Sequence, residues 1–306
     1  MPRFSSVSSW EWNSLDHSNA AKLLVGQFPG SDLEPFGYGD FCIAFKQGDQ
    51  VIRVARHLEA MASLERESCI LPTIASMLPL SVPQPTYHAP HECPPFTIHK
   101  EIVGEVLTRK AWEDMPASAR EKAASDLANF LKILHALPIE IGLECGLVQI
   151  DAAKMASSLQ DEAADTIYPL LEPNMQRKLH RTLENWASQH NVRRPALLHC
   201  DIGPGHVLYD PSTLSLTGVI DFGDLVIGDP ARDFIYIYED FGPQILQDVL
   251  TRYAGKDTPK IMPAIRKWYL LEAISWTIKM YVEQHEENLE HGLAEIKREL
   301  ADMEMP

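Results

Sequence analysis

The pattern of hydrophobic and polar positions near the start of the chain predicts a β-hairpin. Residues 41–45 and 50–54 are short apolar runs typical of strands, and Gln47, Gly48 and Asp49 between them have the composition of a tight turn. We therefore expect an antiparallel pair of strands early in the chain.

Helices are expected on both sides of this hairpin. Ser14 can cap the first helix, and Pro29 with Gly30 can end it. After the hairpin, hydrophobic positions approximate a helical stripe before Pro79. The residues of this stripe are Met61, Leu64, Ile70, Leu71 and Ile74. An extended, proline-rich segment follows, and then a short strand that breaks at Gly104.

Beyond Gly104 the pattern becomes mainly helical. Residues 117–138 carry apolar side chains at positions i, i+3, i+4 and i+7, which predicts an amphipathic helix. These side chains are Leu127, Phe130, Leu131 and Leu134. Residues 151–190, 243–254 and 260–300 repeat the amphipathic pattern, and no internal repeat or low-complexity linker separates them.

The length of the chain favours two lobes rather than a single core. It has 306 residues, of which 45% are hydrophobic, so it can bury substantial cores. A strand-rich part of roughly one hundred residues leads through a short connection into a larger helical part. We expect an α+β protein whose two lobes enclose a cleft suited to a nucleotide.

The charge of the chain restricts its partners. Lys and Arg number 27 against 43 Asp and Glu, which gives a formal net charge of −16. This charge repels nucleic-acid phosphates and anionic membranes, so we expect neither as a partner and favour a cationic ligand. The first residues lack the pattern of a signal peptide, and no apolar run is long enough to span a membrane. We therefore expect a cytoplasmic protein, and we expect it to be a monomer.

Five cysteines are scattered along the chain without a CxxC pair. They are Cys42, Cys69, Cys93, Cys145 and Cys200. Their odd number and spacing argue against a disulfide framework and against a structural zinc site. We expect buried or half-buried free thiols.

Two neighbouring segments carry the candidate chemistry. HCDIGPGHVLYD places His199, Asp201 and His206 in one loop rich in Gly and Pro, and GVIDFGDLVIGDP places Asp221 at the end of an apolar run. Carboxylates on neighbouring loops are typical ligands of a bound metal ion.

This pattern resembles the catalytic and metal-binding loops of the kinase fold, in which HxD is followed five positions later by a polar residue and then by DFG. The longer sequence GVIDFGDLVIGDPARDF is similar to that of the aminoglycoside phosphotransferase family, because no APE motif or long activation segment follows it. The order of a hairpin, Arg53, a helix with Glu67, a hinge and the two loops extends the resemblance over nearly the whole chain.

The resemblance implies a bilobal protein-kinase-like fold with a β-rich N-lobe and a mainly helical C-lobe. We expect a nucleotide-binding N-lobe at residues 1–98, a hinge at 99–104 and a C-lobe at 105–306 that holds the catalytic loop and the acceptor site. It also implies a kinase that transfers the γ-phosphate of ATP or GTP to a hydroxyl group of a small molecule, with Mg²⁺ as cofactor.

The same resemblance assigns roles to individual residues. Asp201 would accept the proton of the acceptor hydroxyl, Asp221 and His206 would hold Mg²⁺, and Arg53, paired with Glu67, would hold the α- and β-phosphates. The hinge would offer backbone groups to the purine at Ile98, His99, Lys100, Glu101 and Ile102. His199, Asp229 and Asp233 resemble supports of the loops rather than chemical groups.

Two positions depart from the usual kinase pattern. His206 stands where Asn is usual, as in the aminoglycoside 2″-phosphotransferase and macrolide phosphotransferase subgroups, and Mg²⁺ prefers oxygen ligands, so His206 could instead only orient Asp201 or a loop carbonyl. Arg53 replaces the kinase lysine, and its guanidinium can still grip phosphate oxygens. The alternative is an exposed Arg53 on an edge strand and Glu67 on a solvated helix face.

The acceptor site is expected in the helical lobe. IYEDFG places Glu239 and Asp240 after the catalytic segments, and the spacing of LLEAISWTIKMYVE puts Glu272, Trp276 and Glu283 on one helical face. Carboxylates and an aromatic ring attract ammonium groups, so we expect a cationic acceptor of the aminoglycoside type. Acidic residues on helices can also form only a solvated face, and Trp276 can belong to the core.

Several functions compete with an aminoglycoside kinase. A macrolide phosphotransferase and a metabolic kinase for an amino alcohol or a sugar share the fold. A nucleotide-binding pseudoenzyme is suggested by Arg53 and His206, but both key aspartates are in place. A metallohydrolase would need a further His and Asp cluster to complete its site.

Overall fold

The hairpin predicted from the sequence lies inside a five-stranded antiparallel sheet. The computed structural model describes residues 16–30, 32–91, 93–188 and 194–302. The sheet has the spatial order β1-β2-β3-β5-β4. Its strands are β1 (Glu34–Tyr38), β2 (Cys42–Gln47), β3 (Gln50–Ala55), β4 (Thr86–His88) and β5 (Phe96–Lys100). Gly48 makes the β2–β3 turn with a φ of 62°, a left-handed conformation that costs glycine little.

Side chains alternate along each strand, so one face of this sheet is buried and the other lines a cleft. Ile43, Phe45, Ile52 and Val54 are buried on one face, against helix α1 (His17–Leu24). The side chains between them, among them Cys42, Ala44, Val51 and Arg53, point to the opposite face and line a cleft. The predicted cap Ser14 lies outside the described residues, and the carboxylate of Asp16 accepts the N–H of Asn19 at the start of α1 (2.8 Å).

Helix α2 (Leu58–Ile74) follows the hairpin and connects the sheet with the rest of the protein. The predicted stripe is confirmed: Leu64, Ile70, Leu71 and Ile74 are buried, and Met61 is half-buried. The end of the helix belongs to the large core that fills the second half of the chain. The start of the helix packs against Ala55 of β3 through Ala60 and Leu64. One helix therefore contacts both the sheet and the large core.

The second half of the chain is mainly helical, as expected. Its helices are α3 (Arg109–Asp114), α4 (Ala117–Ala136), α5 (Ile139–Glu144), α6 (Ala152–Asp165), α7 (Pro173–Ser188), α8 (Pro243–Ala254), α9 (Thr258–Val282) and α10 (Glu286–Asp302). The predicted apolar face of α4 is completely buried in the core that these helices share. Within the described ranges, no helix is both long and apolar enough to cross a membrane.

Five short strands accompany these helices: one precedes α3, and four lie between α7 and α8. They are β6 (Glu105–Val106), β7 (Ala196–Leu198), β8 (Val207–Asp210), β9 (Ser215–Val219) and β10 (Val226–Gly228). β8 lies between β6 and β9 in one small sheet, and β7 pairs with β10 in another. The HxD loop joins β7 to β8, and the DFG loop joins β9 to β10. Because β7 pairs with β10 and β8 pairs with β9, both loops cross between the same two small sheets and lie side by side.

The prediction that the cysteines are all free is wrong for one pair. Cys69 on α2 and Cys145 after α5 form a disulfide, with Cα atoms 5.6 Å apart and 76 residues apart in sequence. Neither an even number of cysteines nor a CxxC motif is needed for this bond, because the fold brings α2 next to the loop after α5. The other three behave as expected: Cys42 is half-buried, and Cys93 and Cys200 are buried free thiols.

The disulfide should stabilise the protein by restricting the unfolded chain. Replacing both Cys69 and Cys145 with Ser should lower the free energy of unfolding by about 4 kcal/mol, the entropy of closing a loop of this length. Denaturant unfolding of oxidised wild type and variant measures the difference, which should vanish when both are unfolded in a thiol reductant. A non-reducing peptide map that shows two free thiols would contradict the assignment.

Candidate active site

A buried carboxylate holds the loop that follows β7. Asp233, 1% exposed, accepts the backbone N–H of Cys200 (2.6 Å) and that of His199 (3.1 Å). His135 on α4 contributes its Nε2 to the same carboxylate at 2.8 Å. Cys200 has a φ of 68°, a left-handed conformation that is costly for a residue with a side chain. Asp233 therefore supports the loop backbone where it is strained.

His199 is a second support, and its hydrogen bonds define its tautomer. The N–H of Asp201 donates to Nδ1 of His199 at 3.1 Å, so this nitrogen must be unprotonated. Nε2 lies 3.1 Å from the carbonyl of Ile220 and donates to it. Burial lowers the pKa of His199 and outweighs the nearby carboxylates. A neutral imidazole thus links the HxD loop to the DFG loop.

His206 contacts both candidate catalytic carboxylates. Its Nδ1 lies 2.9 Å from the backbone carbonyl of Asp201 and 3.2 Å from Oδ2 of the same residue. Its Nε2 faces Oδ2 of Asp221 at 3.8 Å. Burial acts to lower the pKa of His206, but the hydrogen bond and charge of Asp201 and the charge of Asp221 raise that pKa to about 9. His206 therefore orients Asp201 through one nitrogen and presents the other to Asp221.

Arg53 forms ion pairs with two carboxylates from different elements. Its Nη1 lies 2.5 Å from Oε2 of Glu67 on α2, and its Nη2 lies 3.0 Å from Oδ1 of Asp221. The side chains of Arg53 and Glu67 are only 13% and 2% exposed, so the alternative of a solvated pair is wrong. Burial alone would raise the pKa of Asp221, but Arg53 and His206 hold it below its usual value.

The donor atoms around Asp221 fit a magnesium ion that keeps substrate and water ligands. Mg²⁺ in kinases is held by one or two protein ligands together with phosphate oxygens. Asp221 offers such a carboxylate, with its side chain 47% exposed and its φ at 62°. Nε2 of His206 lies 3.8 Å from Oδ2 of Asp221, but its raised pKa keeps this nitrogen protonated, so it can bind a metal ion only after losing that proton. Within the described residues, no group of three or more His, Cys, Asp and Glu side chains is arranged to hold a metal ion.

These residues line a cleft of about 690 Å³ between the five-stranded sheet and the two loops. Of the predicted hinge, His99, Glu101 and Ile102 line the cleft. Ile98 and Lys100 do not, because alternate side chains of β5 point away from it: Ile98 packs towards α1 and the Lys100 side chain is 80% exposed. The N–H of Glu101 donates to the Asp49 carbonyl (2.8 Å), so this backbone group is already engaged.

A second pocket of about 510 Å³ lies in the helical part of the protein. It brings together three of the predicted acceptor residues, Glu239, Glu272 and Trp276, with the rings of Tyr236 and Tyr269. Glu283 follows the end of α9 and is not among the lining residues. The predicted common face of α9 is therefore correct for two of its three residues.

The carboxylates of this region differ in their partners. Glu272 forms an ion pair with Arg232 at 2.6 Å, so its charge is largely compensated. Asp240 does not line the pocket but points to the HxD loop, where its Oδ2 would lie 3.3 Å from a Cβ added to Gly203. Burial, followed by neighbouring carboxylates, raises the pKa of both Glu239 and Asp240. These two carboxylates are the ones that a cationic ligand would relieve.

Asp224 and Arg232 are residues of the site to which sequence analysis assigned no role. Asp224 follows the DFG triplet and lines the cleft, where burial and the charges of Asp201 and Asp221 raise its pKa. Arg232 lies in the GDPARDF segment, and its guanidinium carbon lies 5.6 Å from the ring centre of Trp268. Both residues lie within the quoted motifs, which could have marked them as candidates. A motif does not show which charged or aromatic side chain each of them will contact in the folded protein.

Comparison with known proteins places this site in a defined family. The sequence model of the phosphotransferase enzyme family matches residues 43–268. An aminoglycoside 3'-phosphotransferase of Streptomyces fradiae is 28% identical over 163 residues, which cover 49% of this chain and 59% of that protein, less than two thirds of its length.

Solved structures establish the fold. The complex of an aminoglycoside 2″-phosphotransferase IIIa with GDP and kanamycin gives a TM-score of 0.84 at 22% identity and covers 93% of this chain and 99% of that one. The streptomycin–ATP ternary complex of an aminoglycoside 2″-phosphotransferase IIa gives a TM-score of 0.73 at 24% identity, covering 93% and 96%. The predicted kinase-like architecture, with an antiparallel sheet followed by a helical part, is confirmed.

Asp233 should be indispensable for the conformation of the HxD loop. Asp233→Asn replaces one acceptor oxygen by an NH₂ group that must face an N–H donor, so we expect the free energy of unfolding to fall by about 3 kcal/mol. Because the pKa of Asp233 lies below its usual value in the folded state, its stabilisation is present above the pKa of the unfolded chain and is lost as the pH falls through the folded pKa. Denaturant titrations of both proteins from neutral to acidic pH measure this loss. The variant should lack this part of the acid sensitivity, and identical profiles would contradict the role.

Proposed function

The chain belongs to the phosphotransferase enzyme family, and we propose that it transfers the γ-phosphate of ATP or GTP to a hydroxyl group of a cationic, aminoglycoside-type antibiotic. One observation carries this proposal: Asp201, His206, Asp221 and Arg53 all line a single cleft, and Arg53 and His206 both face Asp221 across it. Phosphoryl transfer requires an aligned hydroxyl, cations at the phosphates and exclusion of water rather than covalent participation of the protein. The cleft offers a candidate for each requirement.

Asp201 is the proposed base. Its carboxylate lies at the floor of the cleft, and Nδ1 of His206 contacts one of its two oxygens at 3.2 Å. The other oxygen is left to accept a hydrogen bond from the acceptor hydroxyl and then its proton as the new O–P bond forms. A base that is held in this way contributes through orientation as well as through proton transfer.

Arg53 and Asp221 form the proposed phosphate clamp. Glu67 fixes the guanidinium of Arg53 from behind, which leaves its outer edge, now facing Asp221, for phosphate oxygens. Asp221 would hold Mg²⁺, which when bound neutralises the phosphate charge, and His206 would join it as a ligand only after Nε2 loses its proton. Because Asp201, Asp221 and the guanidinium of Arg53 all line the cleft, the geometry favours an active kinase over a pseudoenzyme.

The acceptor is proposed to bind in the 510 Å³ pocket and to reach Asp201 past Tyr236. Tyr236 lines this pocket, and its Cβ also lies close to Gly203 of the HxD loop, so it stands between pocket and base. Glu239 and Asp240 supply negative charge that a polyamine would compensate. The relative from Streptomyces fradiae is named for an aminoglycoside, and one solved neighbour holds kanamycin. These features support an amine-bearing acceptor.

The first test concerns the proposed base. Asp201→Asn keeps the shape of the side chain and the contact with His206, so the affinity for nucleotide should remain within a few-fold of wild type. Turnover should fall by about 10²-fold or more, the usual contribution of a positioned base. Asp248→Asn, on α8 outside the cleft, is the matched control. Turnover of Asp201→Asn within a few-fold of the control would show that Asp201 is not the base.

The second test concerns the acceptor. The double variant Glu239→Gln with Asp240→Asn should raise KM for an aminoglycoside at least about 10-fold, since two carboxylates that would face ammonium groups lose their charge. Added salt should weaken wild-type binding more than binding by the variant. The control with the same charge change is Glu286→Gln with Glu287→Gln, two exposed residues on α10 outside the pocket. Equal KM values for all three proteins would overturn the acidic acceptor site while leaving the kinase assignment intact.

A further inference from the structure

The loop between β1 and β2 forms one rim of the nucleotide cleft. Gly39, Asp40 and Phe41 line the cleft, and Tyr38, which ends β1, lines it as well. The N–H of Gly39 donates to the carbonyl of Cys42 at 2.9 Å, so the loop is a tight turn. Sequence analysis assigned no role to Arg56, which contacts the backbone of this turn.

Arg56, directly after β3, binds the backbone of this loop from outside the cleft. Its Nη1 donates to the carbonyl of Gly39 at 2.5 Å and lies 3.4 Å from that of Asp40. Its own backbone N–H donates to the carbonyl of Phe41 at 2.9 Å. Three consecutive carbonyl oxygens are therefore turned towards one residue, and Arg56 is not itself among the residues that line the cleft.

Tyr38 holds the guanidinium of Arg56 in position. Nη2 of Arg56 donates to the Tyr38 hydroxyl at 2.6 Å, and the guanidinium carbon lies 4.3 Å from the centre of the ring, a cation–π contact. On another side of the same ring, His17 of α1 lies 5.7 Å away between ring centres, and its Nε2 donates to the carbonyl of Gly37 at 3.0 Å. Tyr38 is 56% exposed, so these contacts order a side chain that the hydrophobic core does not enclose.

The geometry of the peptide unit connects these contacts with the cleft. All peptide bonds in the described part of the chain are trans, and in a trans peptide the C=O and the N–H that follows it point in opposite directions. Carbonyls of Gly39 and Asp40 that face Arg56 turn the N–H groups of Asp40 and Phe41 the other way, towards the cleft that both residues line. Successive N–H groups with one orientation form a binding site for an anion such as phosphate.

We infer that Arg56, with Tyr38, is a positioning residue that orients the β1–β2 loop so that its N–H groups bind the polyphosphate of the nucleotide. Without the guanidinium, the glycine at position 39 lets the peptide turn over and present a carbonyl oxygen to the phosphate, which repels it. Arg56 would thus act on the phosphate only through the loop, in contrast to Arg53, whose guanidinium is proposed to touch it. The inference rests on the proposed nucleotide site.

The test separates the affinity for the phosphate groups of the nucleotide from the affinity for its nucleoside part. Arg56→Met should raise Kd for the nucleoside triphosphate, measured by calorimetric titration with Mg²⁺, by roughly 10-fold, as expected for the loss of two hydrogen bonds from a charged donor. Kd for the corresponding nucleoside, which has no phosphate, should not change. ATP with adenosine and GTP with guanosine are used as pairs, and the pair that wild type binds more tightly is decisive.

Matched variants define what each group contributes. Arg56→Lys keeps the charge but has a single donor nitrogen and no planar fork, so it should give an intermediate Kd. Tyr38→Ala should also weaken binding of the triphosphate, and its effect combined with Arg56→Met should be smaller than the product of the two single effects, since both act through one contact. Arg252→Met on α8 removes a guanidinium that likewise donates to a backbone carbonyl, far from the cleft, and should leave both Kd values unchanged.

The outcomes distinguish the inference from the proposed function. If wild type binds no triphosphate, the nucleotide site is wrong and the inference falls with it. If wild type binds triphosphate but Arg56→Met binds it equally well, only the inference is overturned. Equal losses of triphosphate and nucleoside affinity would also overturn it, because they would show that Arg56 merely stabilises the lobe.

Discussion

The pair of ion bridges made by Arg53 is the interaction on which the rest of the site depends. One guanidinium on β3 contacts Glu67 of α2 at 2.5 Å and Asp221 of the DFG loop at 3.0 Å, so it joins the sheet, the helix and the loop that form the cleft. Glu67 is nearly inaccessible to solvent, and a buried carboxylate without a cation is costly by several kcal/mol. The charge of Arg53 therefore serves the fold as well as its proposed contact with the phosphates, and a neutral residue at this position would leave Glu67 buried without a cation.

The reactive side of the cleft is built on strained backbone that buried polar groups hold in place. Cys200 and Asp221 adopt left-handed conformations that are unfavourable for residues other than glycine. The carboxylate of Asp233 fixes the first of these positions, and the neutral His199 connects the loop of the first with the carbonyl that precedes the second. Because these supports are buried and hydrogen-bonded to each other, they fix the backbone that carries Asp201 and Asp221, whose carboxylates are then oriented by His206 and Arg53.

Negative charge is distributed unevenly over the site. Carboxylates that have cationic partners, such as Glu67 and Glu272, are part of the framework. The pKa values of Glu239, Asp240 and Asp224 are raised by burial and by neighbouring carboxylates, so these groups gain from an incoming cation. This division separates structural ion pairs from groups that are free to recognise a ligand, although both kinds come from the same acidic composition.

The sequence by itself determined the class of the fold. Periodicity predicted the hairpin and the buried face of α4, because each depends on local spacing alone, and the motif letters selected Asp201 and Asp221 as candidates, both of which line the cleft. Only the tertiary structure decided which charges meet. It pairs Glu272 with Arg232, turns Asp240 towards the HxD loop, and brings Cys69 against Cys145 across 76 residues. The reason is physical: hydrophobic period is a property of neighbouring residues, whereas the partner of a charge or a thiol is set by how distant elements pack.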